Sequence, residues 1–490
     1  MIDETQGIRR ISWSECFGFT HLFRSFRLAI HHTNIILAFC GLFGTYLTGR
    51  VMDGIWSDAS SPAAVIVGSH QDSELDCFVR CEGSARQTTL EWLAALEEGA
   101  VGDADEGWAE LQTADGRAIR VGAFSLLLNH ARTTINGVTY AVRGGDLGGF
   151  LGVCRTAVMG GVWLIAMHPL YAILFFLISL AVWAHFGGAI CRVAALHATR
   201  DERIGVREAL GFARGKFASF FAAPLMPFGV LVLLGACLFV AGLVALIPAV
   251  GEVLAGGLFF LALLAGFAFA FVLIGAAAGF SLTFPTIAVE GSDAFDAWSR
   301  SYSYIYQRPW RTAFYAIVSV IYGAICLIFV KFFLRVMLWS VHFCVGLSMN
   351  WGDAFAKNAQ GEATRLPDKL NVLWQGPSLT GDTPFWGSFG GAELAHLSWF
   401  AQLFFYLWIF IVVGLVGAFV VSFFYSASTQ MYCLLRRHVD ATDLEDVYLE
   451  EPLDDDLAPA LPAQAAEAGE EASDGASTET SEPSSEATPD

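Results

Sequence analysis

Lys331, Arg335 and His342 stand four and then seven residues apart within an otherwise apolar run. On a helix that spacing places them along one stripe. An ionisable side chain at the centre of a bilayer costs about 3 kcal/mol or more unless it is paired or hydrated. The stripe is therefore either a polar path for an ion or a lipid headgroup, or a set of long side chains snorkelling to the interface if the crossing ends near Val330. A second group, His70, Cys77 and Cys81, carries residue types that bind zinc, but it lacks the fourth ligand of a structural site. Cys77 and Cys81 suit a disulfide better if the loop lies in an oxidising compartment, with two free thiols as the alternative. Gly144-Gly145-Asp146-Leu147-Gly148-Gly149 has neither the Lys-Ser/Thr ending nor the βαβ setting of a phosphate-binding loop, and reads as a flexible lead into a helix. No nucleophile elbow, His-Glu-x-x-His helix or kinase signature occurs. The chain is accordingly expected to be non-enzymatic, with no cofactor and no catalytic, cofactor-binding or metal residues.

Hydropathy sets the elements that carry these residues. Of 490 residues, 55% are hydrophobic, and the mean hydropathy is +0.53. The excess is concentrated in blocks near 30–49, 158–190, 228–247, 253–282, 313–347 and 397–425, each reaching the roughly 20 residues that cross a ~30 Å hydrocarbon layer. The expected fold is an all-α polytopic membrane protein with about six transmembrane helices. His168-Pro169 predicts a kink within 158–190. The run 313–347 is too long for one crossing at about 1.5 Å per residue, and reads as a crossing followed by an outer interfacial helix.

The net charge of −19 is a local property. Seventeen of the 47 acidic residues lie in 440–490, leaving 30 against 28 basic residues elsewhere. No basic patch suggests nucleic-acid binding. From 451 onward large apolar side chains are almost absent, so the sequence predicts a disordered acidic tail. Arg9, Arg10, Arg24 and Arg27 precede the first apolar run, Arg192 to Lys216 follow the second, Arg300, Arg308 and Arg311 precede the fifth, and Arg436 and Arg437 follow the sixth. The positive-inside rule then puts both termini in the cytoplasm. The expected division is 1–50, an N-terminal elbow and first span; 51–156, a small extracytoplasmic insertion; 157–437, a helical domain with an outer loop at 348–396; and 438–490, the cytoplasmic tail.

Two segments look alike: 207–214 (Arg-Glu-Ala-Leu-Gly-Phe-Ala-Arg) and 295–302 (Phe-Asp-Ala-Trp-Ser-Arg-Ser-Tyr). Each suits an amphipathic elbow helix in the interface, and 13–26 is a weaker third copy. Glu290 is placed to pair with an elbow arginine, Gly275 and Gly279 to admit close packing, and His31, His32 and His168 to serve as structural side chains. Phe284-Pro285-Thr286-Ile287-Ala288-Val289-Glu290, with Ala294, Ala297, Ser299-Arg300-Ser301 and Pro309-Trp310-Arg311, resembles a pattern in uncharacterised bacterial multi-pass proteins. It is similar to the membrane domain fused to some glycerophosphodiester phosphodiesterases, over 189–437. No catalytic residue carries over, because that chemistry belongs to a barrel domain outside the resemblance; the long outer insertion and the acidic tail also depart from it.

The expected role is a non-enzymatic scaffold or accessory protein of a bacterial inner membrane. Its partners would be the lipid bilayer and proteins met through the insertion and the tail, with no nucleic acid and no defined small-molecule substrate. The alternative is a transporter or lipid-handling protein.

Overall fold

The computed structural model describes residues 18–56, 64–67, 72–80, 119–244, 246–248, 250–349, 369–379, 383–389, 396–443 and 445–449. Met1–Tyr448 forms one compact unit, and almost all of a second, Leu449–Asp490, lies outside the described residues. The acidic tail from 450 on and Cys81 lie outside them too, as does the side chain of Cys77, so the 77–81 pairing is not among the described contacts.

The chain is an all-α polytopic membrane protein. Among the described residues seven helices are long and apolar enough to cross a membrane: His32–Ile55, Leu147–Met167, Pro169–Arg200, Phe217–Val244, Val250–Glu290, Pro309–Met349 and Phe400–Val439. Large apolar side chains stand exposed along them, such as Phe259, Phe260 and Phe267. That pattern suits a lipid solvent, in which every backbone group must be satisfied within the helix.

In chain order a 3₁₀ turn (Gly18–Arg24) leads into α1 (Ser25–Ala29) and α2 (His32–Ile55). Next come β1 (Ala64–Val67), β2 (Asp72–Ser73), α3 (Glu74–Arg80) and β3 (Ile119–Val121). They form a small antiparallel sheet of order β2-β1-β3, with Ile66 opposite both Ser73 and Ile119. The remaining helices are α4 (Ala123–Gly144), α5 (Leu147–Met167), α6 (Pro169–Arg200), α7 (Val206–Gly215), α8 (Phe217–Ala222), α9 (Leu225–Val244), α10 (Val250–Glu290), α11 (Ala294–Gln307), α12 (Pro309–Met349), α13 (Lys369–Leu373) and α14 (His396–Val439). The centre is α6, whose residues Gly187 to His197 are all buried. Its Ile190, Val193 and Leu196 share one core with Leu37 of α2, Leu282 of α10, Tyr304 of α11 and Tyr432 of α14.

Two apolar runs fold differently from their expectation. The run 158–190 is broken rather than kinked: His168 has non-helical angles (φ −129, ψ 60), and α6 starts at Pro169. Proline has no N–H for the helix ladder and its ring clashes with the turn before it, yet its fixed φ suits a first helical position. The run 313–347 is not a crossing plus a separate interfacial helix. It lies within α12, a single helix of 41 residues. Between Lys331 and Met349 there is no proline and only Gly346, so nothing local stops the helix. At about 1.5 Å per residue α12 is roughly twice the hydrocarbon thickness.

The stretch 144–149 is likewise no loose lead. Gly145 takes the left-handed conformation (φ 63); its N–H bonds Val142 O at 3.3 Å, and Asp146 N–H bonds Ala141 O at 3.0 Å. That is the Schellman end of a helix. Asp146 then caps α5, accepting from Gly149 N–H at 3.0 Å. One short segment thus closes α4 and opens α5 as an antiparallel hairpin, in which His130 Nε2 meets Thr156 O at 2.9 Å.

The two similar segments form α7 and α11, each packed on the span before it. They match at a constant offset: Gly205 and Asp293 are the N-cap residues, Ala209 and Ala297 are fully buried, and so are Ala213 and Ser301. α11 runs back along α10, with Tyr302 Oη donating to Val272 O at 2.7 Å. A Cβ on Gly275 would come within 2.3 Å of the Tyr302 ring, so this glycine admits the elbow helix.

Candidate functional site: a charge hub at the end of α10

The last carbonyls of a helix have no partner within it and carry the negative end of its dipole. At the end of α10 most of them are met from elsewhere. Gly291, left-handed at φ 64, turns the chain, and its N–H bonds Ile287 O at 2.8 Å. Arg192 of α6 donates to Ala288 O at 3.0 Å while stacking 4.3 Å from the Phe212 ring. Tyr448 N–H bonds Val289 O at 2.8 Å, and Lys216 Nζ bonds Gly291 O at 2.6 Å.

The Glu290 side chain, 7% exposed, completes the hub. It accepts from Arg300 Nη1 at 2.6 Å, Arg436 Nε at 3.2 Å and the Tyr432 hydroxyl. Arg300 is also held by Asp296 one turn earlier at 2.9 Å. Burial alone would lower its guanidinium, but the Asp296 bond and the Glu290 charge outweigh that and hold it above its usual range. The Tyr304 hydroxyl donates to Asp440; burial, then that bond, push it well above the ordinary tyrosine range. Arg436 goes on to Asp446 Oδ2 at 3.2 Å. Residues 440–443 and 445–448 are thereby strapped across the ends of α10 and α14. Four cations, Arg192, Lys216, Arg300 and Arg436, and three tyrosines, Tyr304, Tyr432 and Tyr448, around one helix end make a clamp.

The stripe Lys331, Arg335, His342 is not one site. Lys331 Nζ donates to Asn136 Oδ1 of α4 at 2.8 Å. Arg335 donates to Thr383 O at 3.0 Å and Ser378 O at 3.5 Å. The His342 ring lies 5.3 Å from Trp374, against the loop that the Gln375–Ser388 bridge closes. Arg335 and His342 therefore hold a loop, and Lys331 holds a helix.

Spacing in the sequence could place Glu290 beside Arg300, but two polar clusters at the other end of the bundle carry no such signal. Asp53, in the last turn of α2, accepts from Phe124 N–H at 3.0 Å and Ser125 N–H at 3.2 Å, so it caps α4 from another helix, and it also takes the Tyr171 hydroxyl at 3.0 Å. Glu74 of α3 is fully buried; its Oε1 accepts from Trp163 Nε1 at 3.2 Å and lies 3.4 Å from His168 Nε2. His168 was expected to be structural, and its described contacts are packing and this carboxylate. Among the described residues no group of three or more His, Cys, Asp or Glu is placed to hold a metal ion.

An apolar cavity of about 290 Å³ lies where α4 meets α10, α12 and α14, lined by Val138, Ala324, Leu327, Phe419, Phe423 and Ala427 among others. No protein-family model matches the chain, and neither a curated protein nor a solved structure matches it.

Proposed function

We propose that the chain is a non-catalytic accessory protein of a bacterial inner membrane, with the Glu290 end of the bundle in the cytoplasm. The observation that carries this reading is the strap of 440–443 and 445–448, bonded to the buried hub, which fixes the point from which the acidic segment leaves the bundle. Arg192, Arg300 and Arg436 meet the end of α10, and Arg24, Arg27 and Arg200 line a cleft with Glu445 of the strap, as the positive-inside rule asks of a cytoplasmic face. The threading has eight passes, because the α4–α5 hairpin adds α4 to the seven apolar helices. Support for this comes from α4 itself: Phe124 sits at the Asp53 end, whereas Val138 and Thr139 share a cavity with Ser281, Ala316 and Met431. The resemblance to the membrane domain fused to some glycerophosphodiester phosphodiesterases extends to the succession of Pro285, Glu290 and an Ala/Ser-bearing elbow.

The acidic segment after the strap is the surface for a protein partner. In situ cross-linking of the full chain and of a chain ending at Leu449 tests this. A discrete partner band present with the first and lost with the second is expected; identical patterns would refute it.

The lipid-handling reading is favoured by one observation, the apolar cavity beside the Lys331–Asn136 bond. Lipid movement in reconstituted vesicles that Lys331→Met abolishes would support it, and movement unchanged by that substitution opposes it.

A further inference from the structure

The 3₁₀ turn, α1 and the end of α6 enclose an open cleft of about 820 Å³ that the hub does not use. Arg24 and Arg27 line one side and Arg200 the other, with Arg203 close enough to act on the neighbouring histidines. None of these four arginines has an ion-pair partner among the described residues. His197 also lines the cleft and is 4% exposed. Its Nε2 lies 3.5 Å from Asp201, while its Nδ1 is buried with no hydrogen-bond partner.

The acids present leave these arginines unpaired. Asp201 is taken by His197, and Glu445 is an exposed residue of the cleft lining. The His31 ring packs 5.3 Å from His197; burial, then His32, His197 and Arg203, hold it below the usual histidine range, so the cleft's positive charge comes from the arginines. Phe23, 45% exposed, supplies an apolar border. Unpaired arginines, a buried imidazole and a phenyl edge at the end of a transmembrane bundle match a phosphate group with hydrocarbon attached, since basic pockets between such helices bind anionic headgroups.

We propose that this cleft is a phosphate-binding site, with Arg24, Arg27 and Arg200 as its charged ligands and the headgroup of an anionic phospholipid as its occupant. The inference is independent of the accessory role, because it concerns the α1–α6 cleft and neither the hub nor the acidic segment.

The test uses the full chain in nanodiscs. Binding of fluorescent phosphatidylglycerol is titrated against a phosphatidylcholine background, and inorganic phosphate is titrated separately in detergent. Arg27→Gln with Arg200→Gln is expected to weaken binding about fivefold per arginine, about 25-fold together. The Arg27→Lys, Arg200→Lys pair should restore most of it, and Arg437→Gln, at the same end but outside the cleft, should leave it within twofold. Unchanged melting in neutral detergent separates lost binding from lost fold. Inorganic phosphate bound with the same arginine dependence, without lipid preference, also supports the site and makes its occupant a soluble phosphate. Binding indifferent to the Arg27/Arg200 pair, or weakened equally by Arg437→Gln, overturns the proposal.

Discussion

Glu290 and Asp53 solve the same problem at opposite ends of the bundle. Asp53 supplies the acceptor that the first N–H groups of α4 need, and the hub supplies the donors that the last carbonyls of α10 need. Glu290 is the costlier residue to change. Glu290→Gln removes the charge but leaves Arg300, Arg436 and Tyr432 in place. We expect a loss of about 3 kcal/mol, the lower end for breaking a buried ion pair, because Arg300 is 43% exposed. Thermal melting in detergent, with Arg437→Gln as the surface control, checks this; a melting point equal to the control would mean the hub does not hold the bundle. The Glu290–Arg300 half of the hub was legible because both residues lie in one short segment around a helix end. Arg436, Lys216 and Arg192 were not, because only tertiary packing brings them to that end.

At the scale of elements, hydropathy found the apolar helices and misjudged where they stop. It could not see α4, whose polar residues Asn129, His130, Thr134 and Asn136 make it read as part of a soluble insertion. In the structure that polarity has a partner: Asn136 accepts from Lys331, which is why the charge is tolerated on α12. Asn136→Leu therefore leaves an ammonium group without its partner and should cost about 1–2 kcal/mol, and adding Lys331→Met should recover most of it. Equal melting of the single and double variants would contradict this pairing. Lys331, Arg335 and His342 all lie on α12, and their side chains reach different neighbours, α4 for the first and the loop closed by the Gln375–Ser388 bridge for the others.

For the molecule as a whole, the all-α polytopic class followed from composition and apolar run length. The count of candidate spans shifts for local reasons: among the described residues His168-Pro169 divides one apolar run into α5 and α6, which makes seven, and the proposed threading adds α4, an amphipathic helix with too little hydrophobicity to be counted from sequence. Seven apolar helices alone would put the two termini on opposite sides, and six, as expected, would put them together. Adding α4 gives eight and returns the termini to one side, which agrees with arginines before the first span and after the last. The turn between α4 and α5 separates these schemes.

The deciding measurement is labelling of single cysteines by a membrane-impermeant reagent in intact cells, in a cysteine-free background, at Gly144, Gly381 and Ser473. Gly144 has open space where a side chain would stand. The eight-pass threading predicts labelling of Gly381→Cys from outside, and of Gly144→Cys and Ser473→Cys only after permeabilisation. Labelling of Gly144→Cys in intact cells would contradict it, leaving the hairpin outside and six passes in the membrane.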